Sequence, residues 1–303
     1  MRARLHVRGG RFGFFREGTH EICDARATRQ LLPATCDVLE RVAAGLESLG
    51  SVDVREVELS ENVDASERVV HCEAAAGADA GALQTLAAID GLTAAPYVTD
   101  RLALGEHPPI ALRRHVFAFF QGNRYLLRDL AAHVAGLVAP GGVAVDLYAG
   151  AGLFSIAAAV IRGARVTAVE GDRFAAADLV ANVAAADVPV SPVHQSVEAF
   201  VSAFKAERGV HRAAGQAVDT IIVDPPRTGL SREATEGVLA LRAPRLVYVS
   251  CDIATLARDA RRLVDAGYAL NRLDAFDLFP NTPHVETVAV FINSTSCLPV
   301  GGP

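Results

Sequence analysis

The side chains best suited to covalent chemistry in this sequence are a thiol at Cys251 and a carboxylate at Glu286, 35 positions apart. Cys251 lies in Val249-Ser250-Cys251-Asp252-Ile253-Ala254-Thr255, where a strand is expected to end and a helix to begin. A helix N-terminus lowers the pKa of a thiol, and the thiolate is the nucleophilic form, so the placement suits a reactive cysteine. A small buried hydrophobe is the other reading of a lone cysteine. Glu286 closes the stretch Phe279-Pro280-Asn281-Thr282-Pro283-His284-Val285-Glu286, just before the final expected strand. Sheet topology can return it to the same cleft; the alternative is a solvated surface acid.

Two further motifs have the makings of a ligand site. Asp146-Leu147-Tyr148-Ala149-Gly150-Ala151-Gly152 runs from an apolar segment into a helical one, and its glycines let backbone approach a ligand at a helix N-terminus. The spacing is G-x-G, without the third glycine of the dinucleotide fingerprint. Glu170 ends the next expected strand, where an acid can accept hydrogen bonds from ribose hydroxyls. Together these point to an adenosine-containing ligand, although tight packing alone would account for the glycines. Asp224-Pro225-Pro226-Arg227 ends the fourth strand of this series. Its prolines fix φ and remove donors, which gives either a rigid polar projection into a cleft or a plain turn.

These motifs must be positioned by regular elements. Strands are expected at 143–148, 165–170, 190–194, 219–223 and 245–250, alternating with apolar-periodic helices at 153–162, 174–186, 197–207, 231–241 and 254–266. That alternation is the pattern of a doubly wound parallel sheet. Two last strands, 270–277 and 288–292, are joined too closely for a crossover helix and should pair antiparallel. The N-terminal part reads differently. Alternation around Gly9 and Gly10 suggests a hairpin, Pro33 opens an amphipathic helix, strands fit 52–59 and 68–73, a short helix fits 81–89, and 97–104 is extended. His107-Pro108-Pro109 suggests a boundary, giving a small α+β domain over 1–108 and an α/β domain over 109–303.

With 303 residues, of which 51% are hydrophobic and 21% charged, the chain is globular by composition rather than disordered or collagenous. Five cysteines without CxxC or His-rich spacing predict neither a disulfide scaffold nor a metal site, and with no signal-like segment they fit a reducing, cytoplasmic setting. The apolar stretch 131–161 is interrupted by Pro140, Gly141, Gly142, Gly150 and Gly152, so it reads as a buried strand and helix and no membrane association is expected. Charge is segregated. Arg2, Arg4, Arg8, Arg11 and Arg16 carry no acid among them, residues 35–110 hold 14 acids against 4 Arg, and Arg113, Arg114, Arg124 and Arg128 follow. The basic groups are either an ordinary solvated surface or two strips lining a polyanion groove.

Taken in order, Phe119-Phe120-Gln121-Gly122-Asn123, Asp146 to Gly152, Asp224 to Gly229, Ser250-Cys251 and His284-Val285-Glu286 resemble the motifs of the S-adenosylmethionine-dependent RNA 5-methyluridine methyltransferases, which act on tRNA and 23S rRNA. The resemblance covers about 110–292. More loosely, through Gly13-Phe14-Phe15-Arg16, residues 1–108 resemble that family's central RNA-binding domain. It implies a class I, Rossmann-like methyltransferase domain with a seven-stranded, mostly parallel sheet behind the α+β domain. It also implies S-adenosylmethionine as cofactor, in contact with Gln121, Tyr148, the Leu153 backbone, Glu170, Ser196 and Asp224, and RNA as partner. Cys251 is the implied nucleophile at C6 of uracil, Glu286 the implied base for the C5 proton, and Asp224 an orienting group for the ring.

The sequence departs from the family pattern in three places. Asp252-Ile253 replaces the usual Asn-Pro, setting a carboxylate beside the thiol, and a negative charge raises a thiol pKa. The family's N-terminal oligonucleotide-binding barrel has no counterpart in this sequence. The position matching the last of four cluster-binding cysteines is Thr28, so no iron–sulfur cluster is expected. The alternatives are methyl transfer to a nitrogen or a small molecule, which D-P-P also accompanies, and an RNA-binding relative without catalysis.

Overall fold

Period-two alternation at the N-terminus resolves into paired strands. β1 (Arg2–Arg8) and β2 (Arg11–Phe15) are antiparallel, with His6 opposite Gly13. They are followed by β3 (Ile22–Asp24), α1 (Ala25–Thr28), α2 (Pro33–Ser48), β4 (Val54–Glu61) and β5 (Arg68–Ala74). The strands form one sheet in the order β3-β2-β1-β4-β5. Leu5, Phe12, Val57 and Leu59 from the sheet share a core with Val38, Leu39 and Val42 of α2. β6 (Tyr97–Leu104) and β7 (His107–His115) make a separate two-stranded sheet, so His107, Pro108 and Pro109 open a strand.

The computed structural model describes residues 1–8, 11–16, 18–48, 54–74, 89, 91–210, 217–280 and 282–293. The helix expected at 81–89 and the Gly9-Gly10 turn lie outside the described residues, apart from residue 89. The chain divides into two units, Met1–Asp100 with Arg113–Gly122, and Arg101–Leu112 with Asn123–Pro303. In the first, Arg2 and Arg4 pair with Glu58 at 3.0 and 2.6 Å. Arg114 is fully buried and bonded to the Asp100 carboxylate, the Ser60 hydroxyl and the Glu61 carbonyl. The two expected basic strips are therefore not continuous free charge: Arg114 points into the interior, and β4 supplies acids against β1.

The second unit begins with α3 (Leu127–Gly136), then alternates β8 (Val143–Leu147), α4 (Leu153–Arg162), β9 (Arg165–Glu170), α5 (Arg173–Ala186), β10 (Val190–His194), α6 (Val197–Val210), β11 (Thr220–Val223), α7 (Arg232–Leu241), β12 (Arg245–Ser250) and α8 (Ile253–Asp265). β13 (Tyr268–Phe276) and β14 (Glu286–Asn293) complete a seven-stranded sheet in the order β10-β9-β8-β11-β12-β14-β13. The first five of these strands in that order run parallel. β14 runs antiparallel to both neighbours, as the short connection requires. Strand order reverses beside β8, and a doubly wound sheet binds ligands at the carboxyl ends flanking such a reversal. The fold is the expected class I arrangement of a Rossmann-like, mostly parallel sheet.

The layer on one face is packed closely enough to dictate a glycine. A Cβ on Gly237 of α7 would lie 2.2 Å from Cγ2 of Val201 in α6. Ala in place of helical Gly gains about 1 kcal/mol of propensity, whereas overpacking costs about 1–3 kcal/mol. Gly237→Ala should therefore lower the urea midpoint; a raised midpoint would show that α6 and α7 yield freely.

Candidate active site

Each strand of the parallel set delivers one chemical group to the same edge. At the end of β8, Asp146 is fully buried, its Oδ2 accepting from the Ser155 hydroxyl of α4 at 2.5 Å. Its Oδ1 is buried without a partner among the described residues, and burial pushes the carboxyl up to about 7. The chain then reverses through left-handed residues, Tyr148 at φ +65°, Gly150 at φ +57° and Gly152 at φ +95°. A Cβ on Gly152 would sit 2.8 Å from Cδ1 of Leu179, whereas one on Gly150 would meet nothing within 4 Å. The first glycine thus leaves a backbone surface open, and the second lets α4 pack. Asn182 holds the loop from behind by donating to the Ala151 carbonyl at 2.9 Å.

Glu170 closes the front of this loop. Its two carboxylate oxygens accept the backbone N–H groups of Gly150 and Asp172, both at 2.7 Å. Each oxygen keeps capacity for a second donor, such as a ribose hydroxyl. Ser196 is exposed just before α6, and its Cα is 3.5 Å from where a Cβ on Gly171 would be. It lies beside the turn that follows Glu170. Leu153 is the first residue of α4, so its N–H has no partner within the helix. Leu153, Glu170 and Ser196 therefore border one group of backbone donors and a carboxylate, whereas the half-buried Tyr148 side chain packs against the core, where Glu198 and Asp259 act on its hydroxyl. Gln121 belongs to the first unit, where it is buried.

Cys251 and Glu286 are brought together by β12 and β14. Their register sets Ser250 opposite Thr287, so the next residue on one strand and the preceding one on the other, Cys251 and Glu286, sit at the same edge. Glu286 opens β14 rather than preceding it, and at 2% exposure it is no solvated surface acid. Its Oε1 is buried without a hydrogen-bond partner among the described residues, and burial raises its pKa to about 7. The Cys251 thiol is half-buried. Burial pushes its pKa up, the nearby Glu286 and Asp224 carboxylates push it further, and the Arg227 guanidinium pulls against them. The lowering expected from the helix N-terminus is therefore outweighed. Asp252 is not the acid responsible: it caps α8, its carboxylate accepting the Thr255 N–H at 2.8 Å, which holds its own pKa down.

Sequence reasoning assigned no role to Arg227, nor to the residues that fasten its loop to α8. Asp259 is fully buried, accepting the Leu230 N–H and the Tyr248 hydroxyl, both at 2.8 Å. The signal was present: Asp259 falls on the apolar stripe of α8 with Leu256 and Leu263, and a buried acid requires partners. Asn123 donates to the carbonyls of Asp277 and Leu278, just after β13, at 3.4 and 3.3 Å.

An open, mostly parallel sheet with a glycine loop after β8, an acid ending β9, and a thiol and a carboxylate on β12 and β14 at that same edge defines a methyltransferase-type domain. Residues 94–294 match the model of the tRNA (uracil-5-)-methyltransferase family, and the chain belongs to that family. An RNA methyltransferase of Thermotoga maritima is 40% identical over 177 residues, 58% of this chain and 38% of that protein. The 23S rRNA (uracil(1939)-C(5))-methyltransferase of Halomonas elongata is 31% identical over 319 residues, covering 95% of this chain and 64% of its own. The chain thus spans less than two thirds of the length of either. The fold is shared with the Pyrococcus abyssi tRNA (uracil-54, C5)-methyltransferase crystallised with S-adenosyl-L-homocysteine, with a TM-score of 0.73, 24% identity, and coverage of 96% of this chain and 75% of the other.

The raised Glu286 pKa has a consequence for stability. The unfolded carboxyl releases its proton near 4.5, the folded one near 7, so the folded state binds the extra proton between those values. Stability present at acid pH is then lost as pH rises through that window. Compared with Glu286→Gln, the wild type should lose urea resistance from about pH 5 to about pH 7.5. Parallel pH profiles for the two proteins would contradict the buried carboxyl.

Proposed function

We propose that this protein transfers a methyl group from S-adenosylmethionine to C5 of a uridine in RNA, tRNA or 23S rRNA, with Cys251 as nucleophile and Glu286 as base. The observation that carries this reading is the register of β12 and β14, which sets the thiol beside a buried carboxylate, one oxygen of which has no hydrogen-bond partner among the described residues. The donor set fits S-adenosylmethionine: Glu170 for ribose hydroxyls, the Leu153 N–H and the open backbone at Gly150 close by, exposed Ser196 beside the turn after Glu170, Tyr148 in the loop after β8, and Asp224 among the charges around Cys251. When bound, that cofactor supplies an electrophilic methyl group.

The residues then divide the work. Uracil C5 is a weak nucleophile, so the Cys251 thiolate adds to C6 and the electron pair of the C5–C6 double bond moves into an enolate that can take the methyl at C5. Arg227 favours the thiolate that begins this step. Glu286, whose carboxyl burial raises to about 7, removes the C5 proton in its ionised form; the C–H electrons re-form the double bond and the sulfur leaves. Asp224, beside both sulfur and loop, orients the ring. A thiol reaches C6 only when the uridine leaves its stack, so a flipped base or a loop is the form bound. Residues 1–108 are assigned to holding the RNA, and a cytoplasmic setting belongs to the same proposal.

Two measurements test the reading. RNA carrying 5-fluorouridine, incubated with the protein and S-adenosylmethionine, should give a denaturation-resistant adduct, because fluorine cannot be removed as a proton. Methylation of a nitrogen with no adduct would establish the alternative acceptor, and RNA binding without either would mark an inactive relative. Cys251→Ala should lower turnover on the order of a thousandfold or more while cofactor binding persists, and Glu286→Gln should accumulate the methylated adduct. Undiminished turnover in Cys251→Ala would exclude the mechanism.

A further inference from the structure

The loop bearing Arg227 is fastened to the helix bearing Cys251 through a fully buried carboxylate. Besides Leu230 N–H and Tyr248, Asp259 accepts from Nε of Arg258 at 2.9 Å and from Arg262 at 3.3 Å. One terminal nitrogen of Arg258 donates to Asp259 Oδ2 at 3.1 Å, to the Thr228 carbonyl at 2.8 Å and to the Leu230 carbonyl at 3.4 Å. Gly229 stands between them at φ +72°, and a Cβ there would lie 2.5 Å from both the Arg258 nitrogen and Asp259 Oδ2. The loop therefore approaches α8 more closely than any residue with a side chain allows.

Core packing does not require this arrangement. Burying an ionised carboxylate is costly even when it is fully paired, and an aliphatic residue at that position is often as stable or more so. What the cluster does accomplish is geometric. It ties together Tyr248 near the end of β12, the first turns of α8, and the carbonyl of Thr228, which follows Arg227 directly. Those elements flank Arg227, whose guanidinium is hydrogen-bonded to the Cys251 thiol.

We propose that Arg258 and Asp259 are positioning residues that hold Arg227 against Cys251, so that the cation is in place when the thiolate forms. The proposal deepens the reading of Cys251 as nucleophile and rests on it for its purpose, but its geometry is testable without RNA or cofactor. The charged groups facing the sulfur are Glu286 from β14 and Asp224 and Arg227 from the loop after β11. Asp252 on α8 itself is engaged as a cap. Of these, only Arg227 favours the thiolate, so its displacement should have a defined sign.

The test is the pH dependence of Cys251 alkylation by iodoacetamide in the full chain, followed by mass spectrometry of the Cys251 peptide so that other cysteines do not contribute. Arg227→Ala should raise the alkylation midpoint by about one pH unit. Arg258→Ala, which removes a half-exposed side chain, should do the same, and the double variant should show no further shift, because both changes remove one interaction. Arg258→Lys, keeping a donor for the Thr228 carbonyl, should recover most of the wild-type midpoint. Asp259→Asn should follow Arg258→Ala if it folds; the arginine variants decide the matter if it does not. A wild-type midpoint in Arg258→Ala or in Arg227→Ala, or additive shifts in the double variant, would overturn the proposal. Failure of the nucleophile reading would show separately, as no fluorouridine adduct while the alkylation cycle holds.

Discussion

The alignment of Ser250 with Thr287 across two antiparallel strands is the constraint on which the rest of the site depends. A strand has a side-chain period of two, so a slip of one residue would turn Glu286 to the opposite face and leave Cys251 without its neighbour. The register is held along β12 and β14 by buried apolar residues on both strands: Leu246, Val247, Tyr248 and Val249 face Val288 to Phe291, all almost fully buried. Packing energy spread over the whole strand pair thus fixes the separation of two polar groups at its end. The chemistry itself contributes nothing to holding them there.

The same dry surroundings decide the electrostatics. Withdrawing Cys251, Glu286 and Asp146 from water favours the neutral form of each, and for the thiol this outweighs the helix N-terminus. A carboxyl poised near neutrality changes protonation within the physiological range, which an exposed glutamate does not. Arg227 is the counterweight. Cys251 and Glu286, both reluctant to ionise, thus lie with one cation that favours the thiolate, an arrangement that depends on the loop after β11 remaining where it is.

Much of this was legible in the residues. Glycine and acidic punctuation at strand ends located the loop from Asp146 to Gly152, Glu170, Asp224 and Cys251, because in a parallel sheet every strand end faces the same edge. The antiparallel pairing of β13 and β14 followed from a connection too short for a helix. Other features depend on contacts between segments distant in the chain. From the sequence, the helix N-terminus and Asp252 pull the thiol pKa in opposite directions; what raises it is burial first and then an acid from a distant strand that begins at Glu286. Arg114 read as surface charge because Asp100, Ser60 and Glu61 surround it only after β4, β6 and β7 are formed. Asp259 gains its partners only when the loop after β11 and the end of β12 bring Leu230 and Tyr248 to it.

Insertion of β14 between β12 and β13 carries a consequence for how the molecule is made. When the chain has been synthesised only through β13, the main-chain groups of β12 on that side have no strand beside them, and such an edge is prone to pair with other chains. The hairpin partner must enter an interior position rather than extend the rim. Because β14 also brings the carboxylate, closure of that edge and the meeting of Cys251 with Glu286 are one event, and a nascent chain that has not made it holds the thiol without its carboxylate neighbour.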